Sequence, residues 1–174
     1  MAPSRHTDPE EHRLSAPSIA PVTPAEVPLL LALVRELAEF EHLAHEMVAT
    51  EDSLRAALFG PAANVEAVLI RDGGEAAGFA LWFHNFSTFA GRRGLYLEDL
   101  YVRPEFRGRG FGKRLLAHLA AIAVDRGCAR LEWSVLDWNR RAIDFYRAMG
   151  AVALEEWTVF RLSGQALQSL AGRS

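Results

Sequence analysis

One cysteine, Cys128, stands among 174 residues. That scarcity excludes an intramolecular disulfide framework and any CxxC metal pair, and it fits a reducing compartment. Long apolar runs are also missing: none approaches the roughly 18 to 20 residues that a membrane span requires. The N-terminal segment lacks the apolar stretch of a secretory signal, so a soluble, cytoplasmic protein without a membrane partner is the expectation. Excess positive charge is absent as well. A formal net charge of −3 leaves no general cationic field, and nucleic acid is not an expected partner. No internal repeat is evident, and the length suits one domain with a sizeable core.

Residues 1–17 are rich in Pro, Ser, His and charge, with Leu14 nearly alone as a large apolar residue, and read as a disordered tail. Residues 18–174 read as the folded domain. Ser18 to Val22 suits a short strand, after which Thr23 caps a helix that carries Pro24 at its first position. Leu29, Leu30, Leu33, Val34, Leu37 and Phe40 recur at helical spacing down to about His42. Thr50 opens a second, shorter helix. The period then changes to that of strands: 65–71, a turn at Asp72-Gly73-Gly74, 76–86 as the returning arm of a hairpin, and 94–102 as the next strand. A helix is expected from about Gly110 to Arg126, with Phe111, Leu115, Leu119 and Ile122 on one face. A strand over 130–136, a helix over 139–149 and a last strand over 157–162 complete a mixed α/β sheet with helices on both faces.

Between the strand ending at Val102 and that third helix lies Arg107-Gly108-Arg109-Gly110-Phe111-Gly112-Lys113. Glycines at alternate positions permit a tight turn whose amides point one way, toward the positive end of the following helix. Arg107, Arg109, Lys113 and Arg114 add charge, so the turn predicts an anionic ligand. A P-loop is excluded because Arg107 stands where its first glycine belongs and Arg114 where its Ser or Thr belongs. The dinucleotide fingerprint fails at Lys113, which occupies the place of its third glycine.

The strand sequence Leu97-Glu98-Asp99-Leu100-Tyr101-Val102, the turn, Asn139 and Phe145-Tyr146-Arg147-Ala148-Met149-Gly150-Ala151 together resemble the GCN5-related N-acetyltransferase (GNAT) superfamily. Its pattern Arg/Gln-x-x-Gly-x-Gly/Ala is met by Arg107, Gly110 and Gly112. Leu37-Ala38-Glu39-Phe40-Glu41, Tyr96-Leu97-Glu98-Asp99 and Asp137-Trp138-Asn139 are similar to the diamine (spermidine/spermine) N-acetyltransferase group. The resemblance implies a GNAT fold, a mostly antiparallel central sheet with a splayed pair of strands. It implies acetyl-CoA as acyl donor, its pyrophosphate on the amides of Gly108 to Lys113 and its pantetheine arm on the backbone of Leu100, Tyr101 and Val102. Asn139 is a further cofactor contact by the same resemblance and also suits a helix cap. A homodimer is implied too. The sequence departs from the group in its first strand, where Ala20 follows Ile19 and a basic residue is frequent in relatives.

An alkyl amine is mostly protonated near neutral pH, so its attack on a thioester needs a base, and the leaving thiolate needs a proton. Glu98 matches the family's base and Tyr146 its acid. Asp99 is the weaker candidate for base, since a regular strand sends it to the opposite face unless a bulge intervenes. Phe40, Glu41, Glu98, Asp99, Glu156 and Trp157 match positions that contact a cationic acceptor. No metal is expected: His42 and His45 have no evident further ligand, and Cys128 suits packing. Arg92 and Arg93 read as a solvated pair. The sequence-level expectation is therefore direct acetyl transfer to a primary amine of a small diamine or polyamine. Two alternatives stand beside it: acetylation of a lysine-like amino acid or other small amine, aminated antibiotics included, and a CoA-binding module without turnover.

Overall fold

The structure, a computed structural model, describes residues 16–173, so the expected tail falls almost wholly outside the described residues. Those described form two compact units that divide after Ser134. The first contains a five-stranded sheet in the order β1 (Ser18–Pro21), β2 (Val65–Asp72), β3 (Glu75–Ser87), β4 (Arg92–Val102) and β5 (Leu131–Glu132). The first four strands are each antiparallel to their neighbours, and β5 runs parallel to β4. Gly73 and Gly74, at φ 57° and 89°, close the β2–β3 hairpin as the two left-handed residues that a tight hairpin turn demands.

Two helices begin where the sequence places caps. Pro24–Glu26 forms a single 3-10 turn ahead of α1 (Val27–Phe40). The Thr23 amide and hydroxyl donate to the Glu26 carboxylate at 2.8 and 2.7 Å. At the start of α2 (Glu51–Phe59) the Thr50 hydroxyl accepts from the Ser53 amide at 3.2 Å, and the Thr50 amide donates to Ser53 Oγ at 2.9 Å. The reciprocal Thr50–Ser53 pair and the Glu26 carboxylate on the Thr23 amide satisfy backbone donors at the two helix starts.

Strand alternation then sorts the core. Ala67 and Leu69 of β2, Phe79 and Leu81 of β3 and Tyr101 of β4 pack with Leu30, Leu33 and Leu37 of α1. At roughly 1.5–3 kcal/mol for each fully buried Leu or Phe, this contact rather than helix propensity holds α1 on the sheet. The opposite face carries Glu66, which pairs with Arg126 just beyond α3 (Phe111–Asp125). That helix buries Phe111, Leu115, Leu116, Leu119 and Ala123. Helices therefore cover both faces, as the sequence pattern predicts.

The fourth-to-fifth strand contact is shorter than expected. Of 130–136, only Leu131 and Glu132 pair with β4, opposite Leu95 and Tyr96. The next residues of β4 hold a bulge, which bends and twists a strand and so ends parallel pairing there. The remaining edge of β4, toward Val102, has no strand beside it among the described residues.

The second unit holds α4 (Arg140–Ala148) and α5 (Gly164–Leu170). Asn139 Oδ1 accepts from the Ala142 amide at 3.2 Å, giving α4 its cap. The strand expected at 157–162 is not formed. Trp157, Val159 and Phe160 have strand-forming side chains, yet they are exposed, and no ladder partner is present among the described residues. A strand is stabilised by its neighbours, so propensity without a partner leaves the segment irregular.

Candidate active site

The register of β3 and β4 accounts for the acidic centre of the first unit. Leu81 lies opposite Asp99, and the next residue, Trp82, lies opposite Leu97, so Glu98 is one extra residue in the ladder. The bulge leaves Glu98 exposed. It also puts Asp99 on the α1 face, beside the level of Leu81 and Tyr101. Glu41 follows the last residue of α1 and caps it. The helix closes through His42, whose φ of 62° is left-handed, with the His42 amide on Glu39 O at 3.1 Å and the Leu43 amide on Ala38 O at 2.8 Å. This is the two-bond helix ending that glycine usually supplies.

Three carboxylates thus gather where α1 ends and β4 bulges. Burial raises the Asp99 carboxyl from 3.8 to about 6, with the negative charges of Glu98 and then Glu41 adding to the shift. Burial also pushes the Glu41 carboxyl upward. An acid near 6 is ionised at neutral pH but close enough to titration to exchange a proton readily.

The glycine turn lies at the other end of β4. After a 3-10 turn at Pro104–Phe106, Gly108 and Gly110 take φ of 78° and 82°. A Cβ added at either would meet no atom within 4 Å, so backbone conformation and not crowding requires glycine here. Gly110 is the N-cap of α3, and the first helical bond runs from the Arg114 amide to Gly110 O at 3.0 Å. The amides of Phe111, Gly112 and Lys113 accordingly have no intrahelical carbonyl and are placed for an anion at the positive helix end. These features fit a pyrophosphate.

The arginines of the turn do not all face such a ligand. Arg109 donates to Asp72 at 2.5 Å and lies over the Phe106 and Phe111 rings at 5.6 and 5.1 Å. Arg114 donates to Pro17 O at 3.2 Å. The Arg107 Nε donates to Val102 O at 2.8 Å, and its guanidinium lies 4.5 Å from the Phe40 ring centroid. Arg107, Arg109 and Arg114 thus keep their charge at the turn, while each also holds a protein partner through one of its guanidinium nitrogens. Val102 O accepts from Arg107, while Leu100 and Tyr101 pair with Ala80 and Phe79 of β3 on one side and lie beyond the short β5 pairing on the other.

In the second unit Tyr146 lies on α4, its ring 5.3 Å from that of Phe145, and its carbonyl accepts from the Met149 and Ala151 amides. Asn139 serves as cap, the role its position predicts. Glu156 and Trp157 are exposed in the irregular segment before α5. The Arg103–Glu36 fork, with Nε at 3.0 Å and Nη2 at 2.7 Å from the carboxylate, and the Arg109–Asp72 pair went unforeseen. Their partners lie 67 and 37 residues apart, and no local pattern announces them.

The sequence profile of the Acetyltransferase (GNAT) family matches residues 31–151. The chain belongs to this family. It is 41% identical over 155 residues to the thialysine N-epsilon-acetyltransferase of Bos taurus, covering 83% of this chain and 91% of that protein. It is 34% identical over 209 aligned positions to the L-ornithine N5-acetyltransferase NATA1 of Arabidopsis thaliana, covering 94% and 91%. Among solved structures, an integron cassette protein from the mobile metagenome of V. cholerae superposes with a TM-score of 0.76 at 28% identity, covering 90% of this chain and 98% of that one. The GNAT chain is accordingly an N-acetyltransferase, and its α/β architecture is that of the family. No helix among the described residues is long and apolar enough to cross a membrane.

Proposed function

We propose that residues 18–174 act as one acetyltransferase domain that moves acetyl from acetyl-CoA directly to a primary amine of a small diamine or polyamine. The observation that carries the acceptor class is the carboxylate cluster: the two neighbouring charges that shift Asp99 are both negative. A cationic amine is the ligand that relieves such a field. In this reading Phe40, Glu41, Asp99, Glu156 and Trp157 hold the cationic chain, and Glu98 takes the ammonium proton through a water. The Tyr146 hydroxyl supplies a proton to the sulfur as the carbon–sulfur bond breaks. The amides of Gly108 to Lys113 hold the pyrophosphate. Leu100, Tyr101 and Val102, with Asn139, align the rest of the donor, which brings the activated thioester. The β4 backbone faces the acetyl oxygen with donors as negative charge develops.

A lysine-like amino acid is the second reading of the acceptor, favoured by the names of the thialysine and ornithine relatives. We further propose a cytoplasmic homodimer. Support comes from the exposed apolar run Val152, Leu154, Trp157, Val159, Phe160 and Leu162, which a second copy would cover. Thiol release with putrescine, spermidine, lysine, ornithine and thialysine tests the acceptor. Highest kcat/KM on the diamines supports the first reading, and highest kcat/KM on the amino acids replaces it with the second. Glu98→Gln and Tyr146→Phe are each expected to lower kcat by about 100-fold. Turnover equal to the parent's in both variants would remove both role assignments.

A further inference from the structure

Arg107 stands at the root of the glycine turn, yet its side chain leaves the turn and ends on α1. Its guanidinium carbon lies 4.5 Å from the Phe40 centroid and 5.6 Å from that of Tyr101, and its Nε donates to Val102 O at 2.8 Å. Phe40 is the last residue of α1, and Glu41 is its cap. One residue therefore touches three things: the turn placed for the donor, the last carbonyl of β4, and the helix end that presents an acidic residue to the acceptor. On one side of this anchor Phe106 is buried and the Arg107 amide donates to Pro104 O; on the other Gly108 has a left-handed backbone at φ 78°, where an added Cβ would meet no atom within 4 Å.

From this geometry we infer that Arg107 is a positioning residue that links the two substrates, so that occupation of the turn fixes Phe40 and Glu41 and strengthens amine binding. The inference rests on the proposed placement of donor and acceptor. Amides drawn onto a pyrophosphate fix the backbone at Arg107. A fixed Arg107 holds the Phe40 ring by cation–π contact, and the helix end is then ordered before the amine arrives. Linkage makes the effect reciprocal: the amine strengthens CoA binding by the same factor. Lysine cannot replace this side chain, because an ammonium lacks the planar fork that stacks on a ring while its Nε donates to a carbonyl.

The experiment is titration calorimetry of spermidine, with lysine as a second probe, in the presence and absence of saturating CoA. It is run on the parent protein, Arg107→Lys, Phe40→Leu, Phe40→Trp and the Arg107→Lys/Phe40→Leu double variant. In the parent, CoA is expected to tighten amine binding by about fivefold or more, within the usual range of coupling between sites. Arg107→Lys and Phe40→Leu should each abolish that factor, the double variant should lose nothing beyond the singles, and Phe40→Trp should retain it. Unchanged melting temperatures would separate lost linkage from lost folding, and Phe40→Trp keeps the test decisive if Phe40→Leu unfolds. An Arg107→Lys protein that keeps the coupling overturns the inference. So does one whose CoA affinity collapses while amine affinity is spared, since Arg107 would then be a phosphate ligand. A parent protein that binds CoA and amine independently overturns the linkage alone. A parent that binds neither amine instead removes the acceptor assignment.

Discussion

Replacing Asp99 with Asn should stabilise the protein while damaging the enzyme, and the gain should depend on pH in a defined direction. Burial, Glu98 and Glu41 hold the folded carboxyl at about 6, against 3.8 for the ordinary group. Between those two values the folded chain binds more protons than the unfolded one, so stability falls as pH rises. Below 3.8 both states are protonated and the penalty vanishes; above about 6 it is complete. The gap of about two pH units corresponds to a penalty of up to about 3 kcal/mol. Asn keeps the shape of the side chain and cannot ionise. Urea unfolding of Asp99→Asn should therefore show a gain approaching about 3 kcal/mol at pH 8 that shrinks toward zero near pH 4. In the same protein kcat/KM for spermidine should fall by about tenfold or more. A gain of equal size at both pH values, or a loss at pH 8, would refute the account of Asp99 as an ionised group held against its environment.

Three further outcomes follow from the same geometry. Binding of a cationic amine among Glu41, Glu98 and Asp99 should lower the Asp99 pKa and release a proton near pH 6; calorimetry in two buffers of different ionisation enthalpy reads the number, and no net release would count against the cluster as acceptor site. Gly110→Ala forces a side chain into φ 82°, and should cost about 1 kcal/mol in urea unfolding and weaken CoA binding several-fold; unchanged CoA affinity would dissociate the turn from the donor. Glu36→Gln breaks the fork to Arg103, whose partners are partly exposed at 20% and 34%, and after solvent screening should cost about 1 kcal/mol by the same assay.

What the sequence discloses and what it hides divide along physical lines. The Thr50 cap, the Gly73-Gly74 hairpin and the helix start at Gly110 each depend on residues within a turn of one another, and all three are legible. Spacing also marks Leu30, Leu33 and Leu37 as one face, because a helix repeats regularly. The bulge at Glu98 is legible only as a possibility, since it exists in the pairing with Leu81 and Trp82 rather than in β4 itself. Arg107 reads as a basic residue of the turn from its neighbours in sequence, but its contact with the Phe40 ring, distant in the chain, is not legible there. The segment 157–162 reads as a strand because its side chains favour one, but the partner that would make it a strand is not encoded in the segment.

The extra residue in β4 also says how chemistry and fold are kept apart. Remove Glu98 from the count and Leu97 and Asp99 become consecutive members of an ordinary strand, each still opposite its present partner. The carboxylate proposed to take the proton is thus a guest in the ladder: the sheet's register neither needs it nor constrains its identity. A scaffold arranged in this way can change what stands at that position, and with it the reaction, without disturbing a single core contact.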